Sequence, residues 1–181
     1  MSEKELDETV RPKPAALAWI SLAARLILGG AILLAGLLKI GDVLQSVASG
    51  ELPGTVAAVR AYALPLPGWF SALVGYAMPF AEILLGAVIM AGLFTRWTAL
   101  LGGLMMVVYI ALIASAWYRG LSIDCGCFSP GGLLAPGEKT KYLEDILRDL
   151  GFLACAIWLV RWPDSPLSLD KWVAGPENTE V

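Results

Sequence analysis

The sequence predicts an all-α fold: a polytopic membrane protein built as a four-transmembrane-helix bundle. Composition is the first reason. The 181 residues are 57% hydrophobic and only 16% charged, with a mean hydropathy of +0.69, whereas soluble domains carry about 25% charged residues. The second reason is a succession of apolar runs near the length of roughly 20 residues that a spanning helix needs. The third is the position of Trp19, Trp69, Trp97, Trp117, Trp158 and Trp162 near the ends of those runs, where aromatic belts form. Length indicates one domain. A net charge of -3 without a basic tract gives no sign of a nucleic-acid partner. The absence of histidine excludes Ser-His and Cys-His dyads, His-ligated haem and His-containing zinc sites.

The elements follow in order. Residues 1–14 mix acidic and basic side chains and form an N-terminal tail. No signal peptide is read there, because the next run is too long for an h-region and lacks a clear cleavage site. The first span is expected over about Ala15 to Ile40, with Arg25 inside it and Lys39 near its end. A long connection, Gly41 to Pro67, holds a candidate interfacial or re-entrant helix over Thr55 to Leu64, with Val56, Val59 and Ala63 on one face and Pro65 and Pro67 ending it. The second span covers about Trp69 to Phe94 and contains Glu82, and Thr95-Arg96 turns the chain tightly into the third span, Trp97 to Tyr118. A polar segment from Arg119 to Lys141 precedes the fourth span, Tyr142 to Trp162, whose first half carries Asp145, Arg148 and Asp149. The membrane domain is thus residues 15–162, and residues 163–181 are expected as a mobile acidic tail. Basic residues are balanced between the two sides, so charge alone does not set the orientation.

Asp124-Cys125-Gly126-Cys127-Phe128 lies in the polar segment before the last span. A disulfide between residues i and i+2 closes a small strained ring, and strain raises a reduction potential. Gly126 relieves part of that strain because it lacks a Cβ. Such a pair suits thiol–disulfide exchange with a partner. A static disulfide, an inert pair and a metal clip are the alternatives. A structural zinc site needs four ligands, and Cys125, Cys127 and Asp124 supply three at most, so no metal is expected. Arg119, Lys139, Lys141 or Arg148 would favour a nearby thiolate, and Asp124 would oppose it. Cys155 falls well inside the fourth span and reads as core, with a resolving thiol as its other role.

A charge in the middle of a bilayer costs about 2.5–3.5 kcal/mol and so faces a partner or a cavity. Counting helical rise from the side of the termini puts Arg25 roughly 9 Å deep, Glu82 roughly 18 Å and Lys39 roughly 30 Å. The expected structural ion pair is therefore Arg25–Glu82. The other readings are a proton or quinone contact for Glu82, and snorkelling without a specific partner. Arg148 and Asp149 cap the cysteine loop, line a polar pocket beneath the thiols, or form a solvated helix end.

Three stretches resemble the DoxX-like superfamily, and most closely its MauE (methylamine utilisation) branch. They are Arg25-Leu26-Ile27-Leu28-Gly29 with Ala35-Gly36-Leu37-Leu38-Lys39, then Pro79-Phe80-Ala81-Glu82 with Gly86, Gly92 and Arg96, and lastly Asp124-Cys125-Gly126-Cys127-Phe128. Ser129 stands where a glycine often follows in the family. The resemblance covers roughly Arg25 to Val160. It implies a four-helix bundle in the bacterial cytoplasmic membrane, termini in the cytoplasm and the cysteine loop outside. It also implies a membrane thiol–disulfide redox protein in which Cys125 and Cys127 exchange electrons with a thioredoxin-like or other exported thiol protein. No cofactor is required. Quinone is the candidate onward acceptor, with Glu82 and Arg148 as its candidate contacts. The competing reading is a non-catalytic membrane subunit or assembly factor of a redox complex. Oligomeric state is left open by the sequence.

Overall fold

The computed structural model describes residues 15–126, 131–134 and 139–170. Its helices are α1 (Ala15–Ser49), α2 (Gly54–Ala61), α3 (Gly68–Ala91), α4 (Thr95–Tyr118) and α5 (Tyr142–Arg161). A two-residue ladder, β1 (Ile123–Asp124) and β2 (Gly132–Leu133), lies between α4 and α5. Its strands are antiparallel, with Ile123 opposite Leu133 and Asp124 opposite Gly132.

Among the described residues the architecture is all-helical apart from that ladder, and three helices are long and apolar enough to cross a membrane: Ala16–Ser49, Gly68–Ala91 and Thr95–Tyr118. This makes the chain a multi-pass membrane protein. At 20 residues, α5 reaches about 30 Å, the thickness of a bilayer core. Glu144, Asp145, Arg148 and Asp149 in its first half leave it less apolar than the other three. Leu26, Leu37, Leu73, Leu84, Leu101 and Leu104 are all about half exposed or more, a surface that lipid rather than water matches.

Helix α1 is longer than its sequence suggested. It runs past Ile40 to Ser49 and ends at Gly50, whose φ of +75° suits a residue without a Cβ. There the Glu51 N–H donates to the Ser46 carbonyl at 3.0 Å, closing the last turn. Gly41 does not break the helix, because a helical glycine costs only about 1 kcal/mol relative to alanine. The short helix of the connection forms as α2, ending at Ala61. Thr55, Val56 and Ala58 are its buried side chains, and Ala63 lies beyond it, exposed.

The bundle is two helix pairs. α1 lies along α3, α4 lies along α5, and α1 and α5 join the pairs, while the sequential neighbours α3 and α4 touch little. Small residues make the α1–α3 approach close. A Cβ added at Gly86 would sit 2.5 Å from the Leu33 nitrogen, and one at Gly36 would sit 2.8 Å from the Ile83 nitrogen. Gly29 faces Ile89 and Met90 in the same way. One end of the core packs Leu28, Ile32, Ile89, Ala99, Met106 and Leu159. The other gathers Tyr62, Ile113, Ala116, Ile123 and Tyr142 under the ladder.

Residues 163–170, expected as part of a mobile tail, instead fold back across the end of the bundle where α1 begins. Asp170 serves as a cap for α4 from far along the chain. Its carboxylate accepts from the Phe94 and Thr95 N–H groups at 2.6 and 2.9 Å and from the Thr95 hydroxyl at 2.8 Å, satisfying donors that a helix start leaves orphaned. Ser168 donates to the Gly92 carbonyl at 2.8 Å. Ser21 donates to the Trp162 carbonyl at 2.8 Å and accepts from the Trp158 indole. The start of α1 and the exit of α5 therefore share one end.

Two outcomes test this packing. Gly86→Ala lowers stability by roughly 1–3 kcal/mol, because the new methyl meets backbone that cannot give way. Gly30→Ala, where a Cβ would meet nothing within 4 Å, is neutral. Thermal midpoints in detergent compare them, and equal midpoints would refute the close seam. Asp170→Ala costs about 1–2 kcal/mol by removing the cap, read in the same assay.

Candidate functional site

The cysteine loop is built on α2. A Cβ at Gly131 would lie 2.8 Å from the Ala58 Cβ and 2.8 Å from the Gly126 Cα, so the two ends of the loop are pressed together against one helix. Both glycines sit at positive φ, +71° for Gly126 and +72° for Gly131, a conformation that side-chain-bearing residues rarely take. α2 in turn is pressed onto α3, where Gly75 leaves room for the backbone of Val56.

Polar contacts complete the mount. The Tyr62 hydroxyl donates to the Cys125 carbonyl at 3.2 Å. The Asp124 carboxylate accepts the Gly126 N–H at 3.0 Å, an Asx-type turn around Cys125. The Tyr142 hydroxyl accepts from the Ile123 N–H at 3.1 Å and donates to the Leu121 carbonyl. Arg119 donates to the Tyr62 and Ala63 carbonyls at the exit of α2. Cys125 itself is half-buried against the Tyr62–Ile113–Tyr142 cluster. Cys127, its predicted partner, lies outside the described residues, as do Phe128 and Ser129. Cys155 packs against the other core cluster, with Leu28 and Leu159. Cys125 and Cys155 thus pack against different core clusters.

The charges inside the helices pair differently from expectation. Glu82 is bound by Lys39, not by Arg25. The Lys39 ammonium lies 2.5 Å from Glu82 Oε1, and both side chains are about 98–99% buried, at 2% and 1% exposure. The Tyr109 hydroxyl donates to the same oxygen at 2.7 Å, and its ring lies 5.9 Å from the ammonium. Helix register explains the correction. Gly36 of α1 is level with Ile83 of α3, so Lys39 reaches Glu82 within one turn. Arg25 is level with Gly92, whose added Cβ would meet the guanidinium. Arg25 instead donates to the Ser165 hydroxyl at 2.9 Å and the Leu167 carbonyl at 3.2 Å, holding the returning C-terminal segment.

Arg148 bridges Asp145 at 2.9 Å and Asp149 at 3.0 Å and is 30% exposed. Asp149 is buried, whereas Arg148 and Asp145 are partly exposed. Glu82, Tyr109, Asp149, Met105, Phe152 and Ala35 are among the residues that line a cavity of about 20 Å³ between the helix pairs. Tyr109 packs against both core clusters, which places one residue between the Cys125 surroundings and the Glu82 carboxylate. Sequence reasoning singled out Cys125, Glu82 and Arg148. It missed the mounting residues Ala58, Tyr62 and Gly131, and Tyr109, because each acts through contacts distant along the chain.

A double-mutant cycle tests the pairing. Lys39→Met alone strands a buried carboxylate and costs about 3–5 kcal/mol, while Lys39→Met combined with Glu82→Met recovers most of it. Arg25→Met and Glu82→Met add independently. Coupling between Arg25 and Glu82, with none between Lys39 and Glu82, would overturn the assignment.

A family model described as methylamine utilisation protein MauE matches residues 17–161. No curated protein and no solved structure matches the chain.

Proposed function

The chain belongs to the MauE family, and from that premise we propose that it is a membrane thiol–disulfide exchange protein whose working groups are Cys125 and Cys127. The mounting of Cys125 carries this reading. A half-buried cysteine follows a two-residue ladder, its carbonyl is held by Tyr62, and the next residue is a left-handed glycine pressed on α2. A braced loop end beside the lipid-facing helices suits a sulfur that must meet a soluble partner without the bundle rearranging.

A thiolate of a thioredoxin-like or other exported dithiol protein attacks one sulfur of a Cys125–Cys127 disulfide, and the other cysteine leaves as thiolate. The partner's second thiolate then displaces the bound sulfur. The partner leaves oxidised, and Cys125 and Cys127 hold two electrons and, after protonation, two protons. Re-oxidation by a quinone would return the disulfide and yield the quinol. The space beside Glu82 is water-sized, about 20 Å³, so a quinone ring would have to approach from the lipid side, towards Arg148, which is partly exposed.

The proposal includes α5 as the fourth span. Leu143, Leu147, Leu150 and Ile157 form an exposed apolar stripe on it, while Asp149 turns inward and Arg148 pairs with Asp145 and Asp149. Four spans put both termini on one side and the cysteine loop on the other; by likeness to the MauE family the termini face the bacterial cytoplasm and the loop faces outward.

The test is oxidation of a reduced thioredoxin-fold protein by the full chain in quinone-containing liposomes, followed by loss of free thiols. Wild type oxidises it. The double Cys125→Ser/Cys127→Ser variant falls to background, and one single variant accumulates a reductant-sensitive adduct with the substrate. Activity unchanged in the double variant would sink the reading. If that variant also retains its place in a larger complex, the chain is a non-catalytic subunit or assembly factor instead.

A further inference from the structure

The two carboxylates of the interior cavity are each half-used. Glu82 Oε1 takes both Lys39 and Tyr109, and Asp149 Oδ1 takes the Arg148 guanidinium. Glu82 Oε2 and Asp149 Oδ2 are buried with no hydrogen-bond partner among the described residues. Both residues are about 99% buried, they come from different helices, and they line the same cavity. Its volume of about 20 Å³ exceeds the 10–15 Å³ that one water requires. Orphaned carboxylate oxygens in an apolar interior are costly, and a single water between them supplies the missing partner.

Charge decides what else is present. Lys39 comes from α1, Glu82 from α3, Tyr109 from α4, and Asp145, Arg148 and Asp149 from α5. The ion-paired groups are Lys39 with Glu82, and Arg148 with Asp145 and Asp149; Asp42, three residues beyond Lys39, makes no bond to them among the described residues. Three carboxylates against two cations leave one excess negative charge, and Asp145 is 18% exposed whereas Glu82 and Asp149 are enclosed. Two like charges facing one space favour protonation of one of them.

We propose that Glu82 and Asp149 form a proton-binding site, one water joining Glu82 Oε2 to Asp149 Oδ2 and the pair carrying one proton between them. The carboxyl O–H donates to the water, and the water donates to the opposite carboxylate. The site is independent of the cysteine chemistry and stands or falls separately from it.

Infrared spectroscopy of the full chain in liposomes tests it. At neutral pH the wild type shows the C=O stretch of a protonated carboxyl, moved to lower frequency in D2O. Carbon-13 labelling of aspartate and glutamate carboxyls places the band on these residue types without any substitution. The band is lost in Glu82→Gln and in Asp149→Asn, since either change removes the excess charge, and it survives in Asp42→Asn and in Cys125→Ser/Cys127→Ser. Absence of the band from the wild type, its survival in either amide variant, or a sodium-dependent stabilisation without it would each overturn the proposal.

Discussion

Close approach of α1 to α3 is the constraint on which the remainder of the structure depends. Gly29, Gly36 and Gly86 let backbone meet backbone, and in a membrane such packing replaces the hydrophobic drive that water supplies elsewhere. The glycines also fix which residues of the two helices are level. That register, rather than depth below a membrane surface, delivers Lys39 to Glu82 and sends Arg25 to the returning C-terminal segment. The buried ion pair is a consequence of the seam. Any change that slid α1 by one turn would strand both charges in an apolar interior at considerable cost.

The two ends of the bundle are finished differently. At one, residues 163–170 tie the start of α1 to the α3–α4 hairpin, and Asp170 caps α4. At the other, α2 serves as a shelf on which β1, β2 and the glycines around Cys125 rest. Between them lies a small polar interior made by one residue or more from each of four helices. Tyr109 touches both halves of the core and donates to Glu82. A braced mount for Cys125 and a pair of buried carboxylates, Glu82 and Asp149, therefore occur in one chain, joined through packed side chains.

Much of the fold was legible from local pattern. Apolar runs of spanning length located α1, α3 and α4, and a tight link between the last two was expected at Thr95-Arg96, but the turn is Gly92-Leu93-Phe94 and Thr95 already begins α4. Gly41 misled, since glycine weakens a helix without ending it; Gly50, followed closely by Pro53, is the true stop. The C-terminal segment misled because its order comes from Arg25, Gly92 and Thr95, none of which is near it in sequence. Within the candidate site, Cys125 stood out by its neighbours Asp124, Gly126 and Cys127. Ala58 and Gly131 did not, because an alanine and a glycine carry no chemistry until they are seen in contact.

By itself the sequence determined that this chain is helical, belongs in a membrane and carries two cysteines one residue apart in a polar break, since hydropathy and spacing are properties of consecutive residues. Tertiary structure alone decided that Lys39 rather than Arg25 neutralises Glu82, that Asp149 faces the same cavity as Glu82, and that α2 underlies Cys125. Those are relations between helices, set by how closely two backbones can approach and at what register, and no single helix encodes them.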